Sequence, residues 1–322
     1  DLYVCNDFES EDRLWLNDGT GHFYAAGKLT LRNTSASSMS VAFSDIDRDG
    51  DIDFFLAEML STRHKRRKTQ KGPMIVPAAS IGEIDNRPQY MKNSLFLNRE
   101  DGTFAEIGQL ANVHASEWTW ASLFLDADLD GYEDLMVVTG HYYDAMDSDA
   151  RRKLKTMHSR AYRNLQSEVF AYPPLHAQNF IFRNKGDLTF EDRARDWGFA
   201  EVDVSHGMAT ADFDNDGDLD LVVNRLDSVA AVYRNESGKG RIAVRLEGRG
   251  KNSAAIGAHV VLDDGELQQS REIMAGGIYL SGSDSQIMFA ARDANANYSI
   301  SVRWPEGDTT CLLYTSDAAD EK

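Results

Sequence analysis

The stretch Asp45-Ile46-Asp47-Arg48-Asp49-Gly50-Asp51-Ile52-Asp53 decides the reading of this chain. It returns as Asp126-Ala127-Asp128-Leu129-Asp130-Gly131-Tyr132-Glu133-Asp134 and as Asp212-Phe213-Asp214-Asn215-Asp216-Gly217-Asp218-Leu219-Asp220. In all three copies an aspartate holds positions 1, 3, 5 and 9 and a glycine holds position 6. The three segments carry fifteen acids and one base, Arg48, and so supply −14 of the net charge of −18. Carboxylates packed this closely repel and raise one another's pKa values unless cations hold them together.

A hard divalent cation suits the pattern. The expected ligands are Asp45, Asp47, Asp49 and Asp53; Asp126, Asp128, Asp130 and Asp134; and Asp212, Asp214, Asp216 and Asp220. The position-7 carbonyls of Asp51, Tyr132 and Asp218 complete an oxygen shell of six or more, and glycine permits the sharp turn. An EF-hand would need a glutamate at position 12, where Leu56, Val137 and Val223 stand within apolar runs. Magnesium prefers a small, water-rich octahedron, and transition metals want histidine or cysteine, so the expected cofactor is Ca2+ at about three sites. Its role is expected to be structural. An affinity typical of extracellular modules, about 0.1 to 1 mM, fits best outside the cytosol.

Working outward, each loop lies between apolar runs, as in Val41-Ala42-Phe43 before the first and Phe54-Phe55-Leu56 after it, which reads as strand, loop, strand. A second module alternates with the first. It is a strand ending in asparagine before a glycine turn, seen at 14–19, 95–104 and 180–186, with a shorter copy at Val232-Tyr233-Arg234-Asn235. Asp1-Leu2-Tyr3-Val4 matches the ninth position of a further loop, so the chain is expected to begin mid-repeat. Asp1, Asp53, Asp134 and Asp220 are then 52, 81 and 86 residues apart, which places insertions at about 58–92 and 140–178.

The first insertion, with the basic run His64-Lys65-Arg66-Arg67-Lys68 and three prolines, reads as an exposed loop. In the second, Leu154, Met157, Ala161 and Leu165 have helical spacing, which predicts one short surface helix over about 149–166, capped by Asp147 or Ser148. From Arg241 onward the aspartate loops stop while alternation continues. The expected organisation is all-β: calcium-loop repeats over 1–240, a small β domain over 241–310, and a non-native tail at 311–322.

The charge excludes nucleic acid as an expected partner, because phosphate needs a basic face. No run approaches the roughly 18 apolar residues of a membrane span, so no transmembrane segment is expected. Cys5 and Cys311 give neither a disulfide scaffold nor zinc spacing. His114, His141, His176 and His206 are scattered, with no nucleophile or carboxylate pair in recognisable spacing, and read as structural or surface residues. Trp118 and Trp120 suit blade packing better than sugar stacking.

These residues resemble FG-GAP/VCBS-type repeats followed by an ASPIC/UnbV domain. The loops carry the likeness, with Trp118-Thr119-Trp120, Gly140-His141 and the stretch 179–184. In the last domain Ala255-Ile256-Gly257-Ala258, Arg271-Glu272-Ile273, Gly276 to Ser281 and Val302 to Gly307 carry it. After Thr310 the pattern ends and the chain is similar to a translated sequencing adapter. The resemblance implies a partial β-propeller with integrin-α-like blades and calcium in them. It also implies export to an extracellular, periplasmic or cell-surface location, with a signal peptide upstream, and adhesion or recognition of a protein or carbohydrate ligand. No catalytic mechanism comes with it, so no enzyme is expected. A glycan- or lipid-processing enzyme on the same blades, and a purely architectural subunit, stand as alternatives.

Overall fold

The computed structural model describes residues 1–7, 10–70, 87–157, 170, 172–293 and 296–314. It is built of small sheets in series, all antiparallel but for one two-stranded parallel pair among the described residues. The first holds β1 (Leu2–Val4), β2 (Arg13–Asn17) and β3 (Phe23–Ala25). After β4 (Thr34–Ser35) come β5 (Ser40–Ser44) and β6 (Asp53–Ala57), then α1 (His64–Thr69), β7 (Gln89–Tyr90), β8 (Ser94–Asn98) and β9 (Phe104–Glu106). Strands β5-β6-β8-β9 form one four-stranded blade, and β4 pairs with β7 beside it.

The next blade repeats this order. It uses β10 (Thr119–Leu125), β11 (Asp134–Thr139), β13 (Phe180–Asn184) and β14 (Phe190–Asp192), with α2 (Ser148–Met157) and β12 (Ala177–Gln178) between its second and third strands. Strand β15 (Val202–Asp203) pairs with β12. The third blade is β16 (Ser205–Ala211), β17 (Asp220–Arg225) and β18 (Ala231–Tyr233). The inner strands β5, β10 and β16 lie side by side, as in part of a propeller.

Stacking explains why β6 and β11 are continuous apolar runs and not alternating ones. Both of their faces are covered by neighbouring blades. On β6, Phe54 and Leu56 enter a core with Tyr3, Leu31 and Phe96, while Phe55 and Ala57 enter another with Leu135, Val137, Phe180 and Phe182. A third core joins Leu123, Leu125 and Met136 to Met208, Leu221 and Val223.

Beyond the blades, β19 (Arg241–Val244) pairs with β22 (Ile287–Ala290), and a sheet in the order β21-β20-β23-β24 is made by β20 (His259–Asp263), β21 (Gln268–Glu272), β23 (Tyr298–Arg303) and β24 (Thr309–Tyr314). These strands share their own core around Val260, Leu262, Phe289 and Val302. Residues 311–314, read from sequence as the start of a tail, lie in β24 and pair with 298–301.

Two helices appear among the described residues where one was expected. The basic run is α1, not an exposed loop. Lysine and arginine are good helix formers, and Arg66, only 12% exposed, is held by ion pairs to Glu117 at 3.0 Å and to Asp144. The predicted helix at 149–166 is present as α2, capped by Asp147, whose Oδ1 accepts the N–H groups of Asp149 and Ala150 at 2.8 Å. Its expected continuation, with Ala161 and Leu165, lies outside the described residues.

Candidate metal centres

Each aspartate loop joins the first two strands of a blade and has the same backbone. Position 4 is left-handed, with φ of 64° at Arg48, 52° at Leu129 and 59° at Asn215. Position 6 is left-handed again, with φ of 95°, 94° and 94° at Gly50, Gly131 and Gly217. A residue bearing Cβ pays for that region, which is why glycine recurs there. The tight curl turns alternate side chains inward.

The inward carboxylates are those of positions 1, 3 and 9. Asp45, Asp47 and Asp53 offer oxygens within 4.8 Å of one another, as do Asp126, Asp128 and Asp134, and Asp212, Asp214 and Asp220. Position 5 is occupied differently. Asp49, Asp130 and Asp216 each accept the N–H of position 7 (Asp51, Tyr132, Asp218), at 2.9, 3.0 and 3.1 Å. Position 1 accepts the glycine N–H, at 3.2, 2.8 and 3.0 Å, which fixes the curl.

Position 9 closes the loop with both oxygens. Asp53, Asp134 and Asp220 accept the N–H of position 2 on Oδ2, at 3.0, 3.1 and 2.9 Å. On Oδ1 they accept the N–H of Asn98, Asn184 and Asn235, at 2.7, 2.8 and 2.8 Å. The asparagines, read from sequence only as turn residues, therefore position the aspartate loops. Two of them also lock neighbouring blades, since Asn184 Nδ2 donates to Ile46 O at 2.9 Å and Asn235 Nδ2 to Ala127 O at 3.1 Å.

Burial sets the electrostatics. It pushes Asp53 up to about 8 and Asp126 to about 6, and raises Asp134 well above the usual carboxylate range. Asp45 and Asp47 are raised for the same reason, with neighbouring carboxylates adding to the shift. Asp45 Oδ1 and Asp128 Oδ1 are buried without a hydrogen-bond partner. Three converging groups of oxygen donors, two of them with a buried unsatisfied oxygen, fit a hard cation, and each cluster can hold a metal ion.

The C-terminal strands reach these loops. Arg271 on β21 pairs with Glu133 of the second loop at 3.0 Å, and Arg241 on β19 pairs with Asp216 of the third at 3.1 Å. Nothing in their local sequence announces those contacts.

Of the four histidines, His141 and His206 come together with Trp118, Trp120 and Tyr279. His141 lies 4.1 Å from Trp118 and His206 4.7 Å from Trp120, centroid to centroid, and Tyr279 lies 5.0 Å from Trp120. Burial lowers both imidazoles, favouring the neutral ring. His114 sits apart, beside Arg67, and His176 is exposed on another segment.

The FG-GAP-like repeat family matches residues 1–56 and 167–223, and the ASPIC and UnbV family matches 248–316. The first and third loops fall inside the repeat matches, and the second, of the same geometry, falls between them. Cartilage acidic protein 1 of Xenopus tropicalis is 30% identical over 113 residues, covering 34% of this chain and 18% of that protein. Cartilage acidic protein 1 of Homo sapiens is 32% identical over 116 residues, covering 34% and 17%. The aligned part thus spans under a fifth of either relative.

Proposed function

For a chain that carries FG-GAP-like repeats and an ASPIC/UnbV domain, we propose the role of a calcium-stabilised, exported blade scaffold that recognises a protein or carbohydrate ligand and does no chemistry itself. The observation that carries the calcium reading is the set of three oxygen-only carboxylate clusters, alike in position and backbone. The proposed liganding groups are the carboxylates of positions 1, 3, 5 and 9 and the carbonyls of Asp51, Tyr132 and Asp218, around an ion larger and less demanding in geometry than magnesium. At free calcium ten times Kd, each site adds roughly 1.4 kcal/mol of stability.

Export is part of the proposal, because an affinity of about 0.1 to 1 mM, typical of extracellular modules, would fill such loops outside the cytosol, and FG-GAP-like repeats suggest the same location. Neither family description nor either relative's name denotes an enzyme. No helix among the described residues is long and apolar enough to cross a membrane. The recognition role is tested by binding of the purified chain to glycan arrays and surface-protein pools, with calcium and with chelator. Saturable, calcium-dependent capture of one ligand class supports it. Calcium binding with no ligand in either screen would favour the architectural alternative, in which the blades serve only to hold the C-terminal strands.

A further inference from the structure

The residue preceding the loop-closing asparagine is not the same in all three blades. Asn98, Asn184 and Asn235 are equivalent, because each donates its N–H to the position-9 aspartate of its own loop. Before them stand Leu97, Arg183 and Arg234. Arg183 Nε lies 2.7 Å from Asp128 Oδ2 and its Nη2 lies 2.5 Å from Asp130 Oδ2, a two-pronged ion pair on positions 3 and 5. Arg234 Nε lies 2.6 Å from Asp214 Oδ2, again position 3, and Arg241 adds a second cation at Asp216.

Among the described residues, the first loop has no such guanidinium. Leu97 packs into the core between blades. The loop's own base, Arg48, turns away, with its Cζ 3.5 Å above the Tyr132 ring and a hydrogen bond to the Tyr132 hydroxyl. Among the described residues, no basic side chain forms an ion pair with Asp45, Asp47, Asp49, Asp51 or Asp53.

We propose that Arg183 and Arg234 set metal affinity, so that the first loop is the tightest site and fills first, while the second and third are weakened by an internal cation. A divalent ion entering either of those loops must displace or share carboxylates already neutralised by a guanidinium, and ligand charge is what tunes such sites. The first loop's carboxylates carry no ion pair among the described residues, and Arg271 acts on Asp45 only through space. The inference rests on the calcium reading above.

Calorimetric calcium titrations of the wild type, R183L, R183K, R234L and L97R test it, with far-UV circular dichroism confirming that each variant is folded. The expected wild-type isotherm has one tight equivalent followed by two weaker ones. R183L and R234L each tighten one weak site by about tenfold, R183K does so far less because it keeps the charge, and L97R weakens the tight step. Three equal sites in the wild type, or an R183L isotherm identical to it, would overturn the proposal while leaving the calcium reading intact. No calcium binding by any folded variant would remove both.

Discussion

Ser270 Oγ donates a 2.6 Å hydrogen bond to Asp45 Oδ2, joining β21 to the first ligand of the first loop across 225 residues. The neighbouring side chain, Arg271, pairs with Glu133 of the second loop, which also accepts from Ser44 Oγ at 2.5 Å. One strand of the C-terminal sheet thereby rests on two aspartate loops from adjacent blades.

Ser270→Ala removes one donor from a buried carboxylate and is expected to cost about 1 kcal/mol. Arg271→Ala leaves Glu133 buried without its cation and is expected to cost about 3 kcal/mol. Urea unfolding of both variants in chelator checks the order. Equal losses would show that the Arg271–Glu133 pair contributes nothing beyond packing.

Asp134→Asn is expected to cost about 2 kcal/mol even without metal, because both carboxylate oxygens accept N–H groups and an amide can accept with only one. The variant should also lose one calcium equivalent. Denaturant melts in chelator separate the structural loss from the loss of metal.

Glycine at position 6 should tolerate alanine unequally. A Cβ at Gly50 meets nothing within 4 Å, so only backbone strain of about 1 kcal/mol is expected there. At Gly131 the same Cβ lies 3.0 Å from Leu267 Cδ2 and 3.3 Å from Arg48 Nη1, so the ends of a C-terminal side chain and of the first loop's arginine must give way. The difference in melting temperature between G50A and G131A measures that contact, and G131A should melt lower.

The pH dependence has a definite sign. Burial raises Asp53 and Glu58 to about 8 and Asp126 to about 6, all above their unfolded values near 4. In chelator these groups contribute stability that is fully present below about pH 4 and is lost progressively as pH rises to about 6 for Asp126 and about 8 for Asp53 and Glu58. The metal-free protein is therefore expected to melt roughly 5 °C lower at pH 8.5 than at pH 5.5. Calcium binds the ionised form, so its affinity should rise over the same interval with release of protons. A metal-free melting temperature that rises with pH would contradict this.

The loops were legible because position and residue type coincide three times, and the apolar second strands because blade stacking covers both faces. Helix α1 was not, since its one inward-turned long side chain is charged: Arg66 is satisfied by Glu117 and Asp144, 51 and 78 residues away, and no local apolar spacing records that. The duty of Asn98, Asn184 and Asn235 was hidden for a related reason. Asparagine before a glycine turn already has a local explanation in turn geometry, and its bond to the position-9 aspartate is tertiary. Contacts of Arg241, Ser270 and Arg271 with the loops cross from one sheet system to another and leave no periodic trace.

The most direct test of the account is equilibrium dialysis of the purified chain against calcium, alongside magnesium at the same concentration. Three calcium ions bound per chain, with little displacement by magnesium, is the predicted result. A chain that is folded in calcium yet binds none, or binds magnesium equally well, would contradict the assignment of the three aspartate loops as calcium sites.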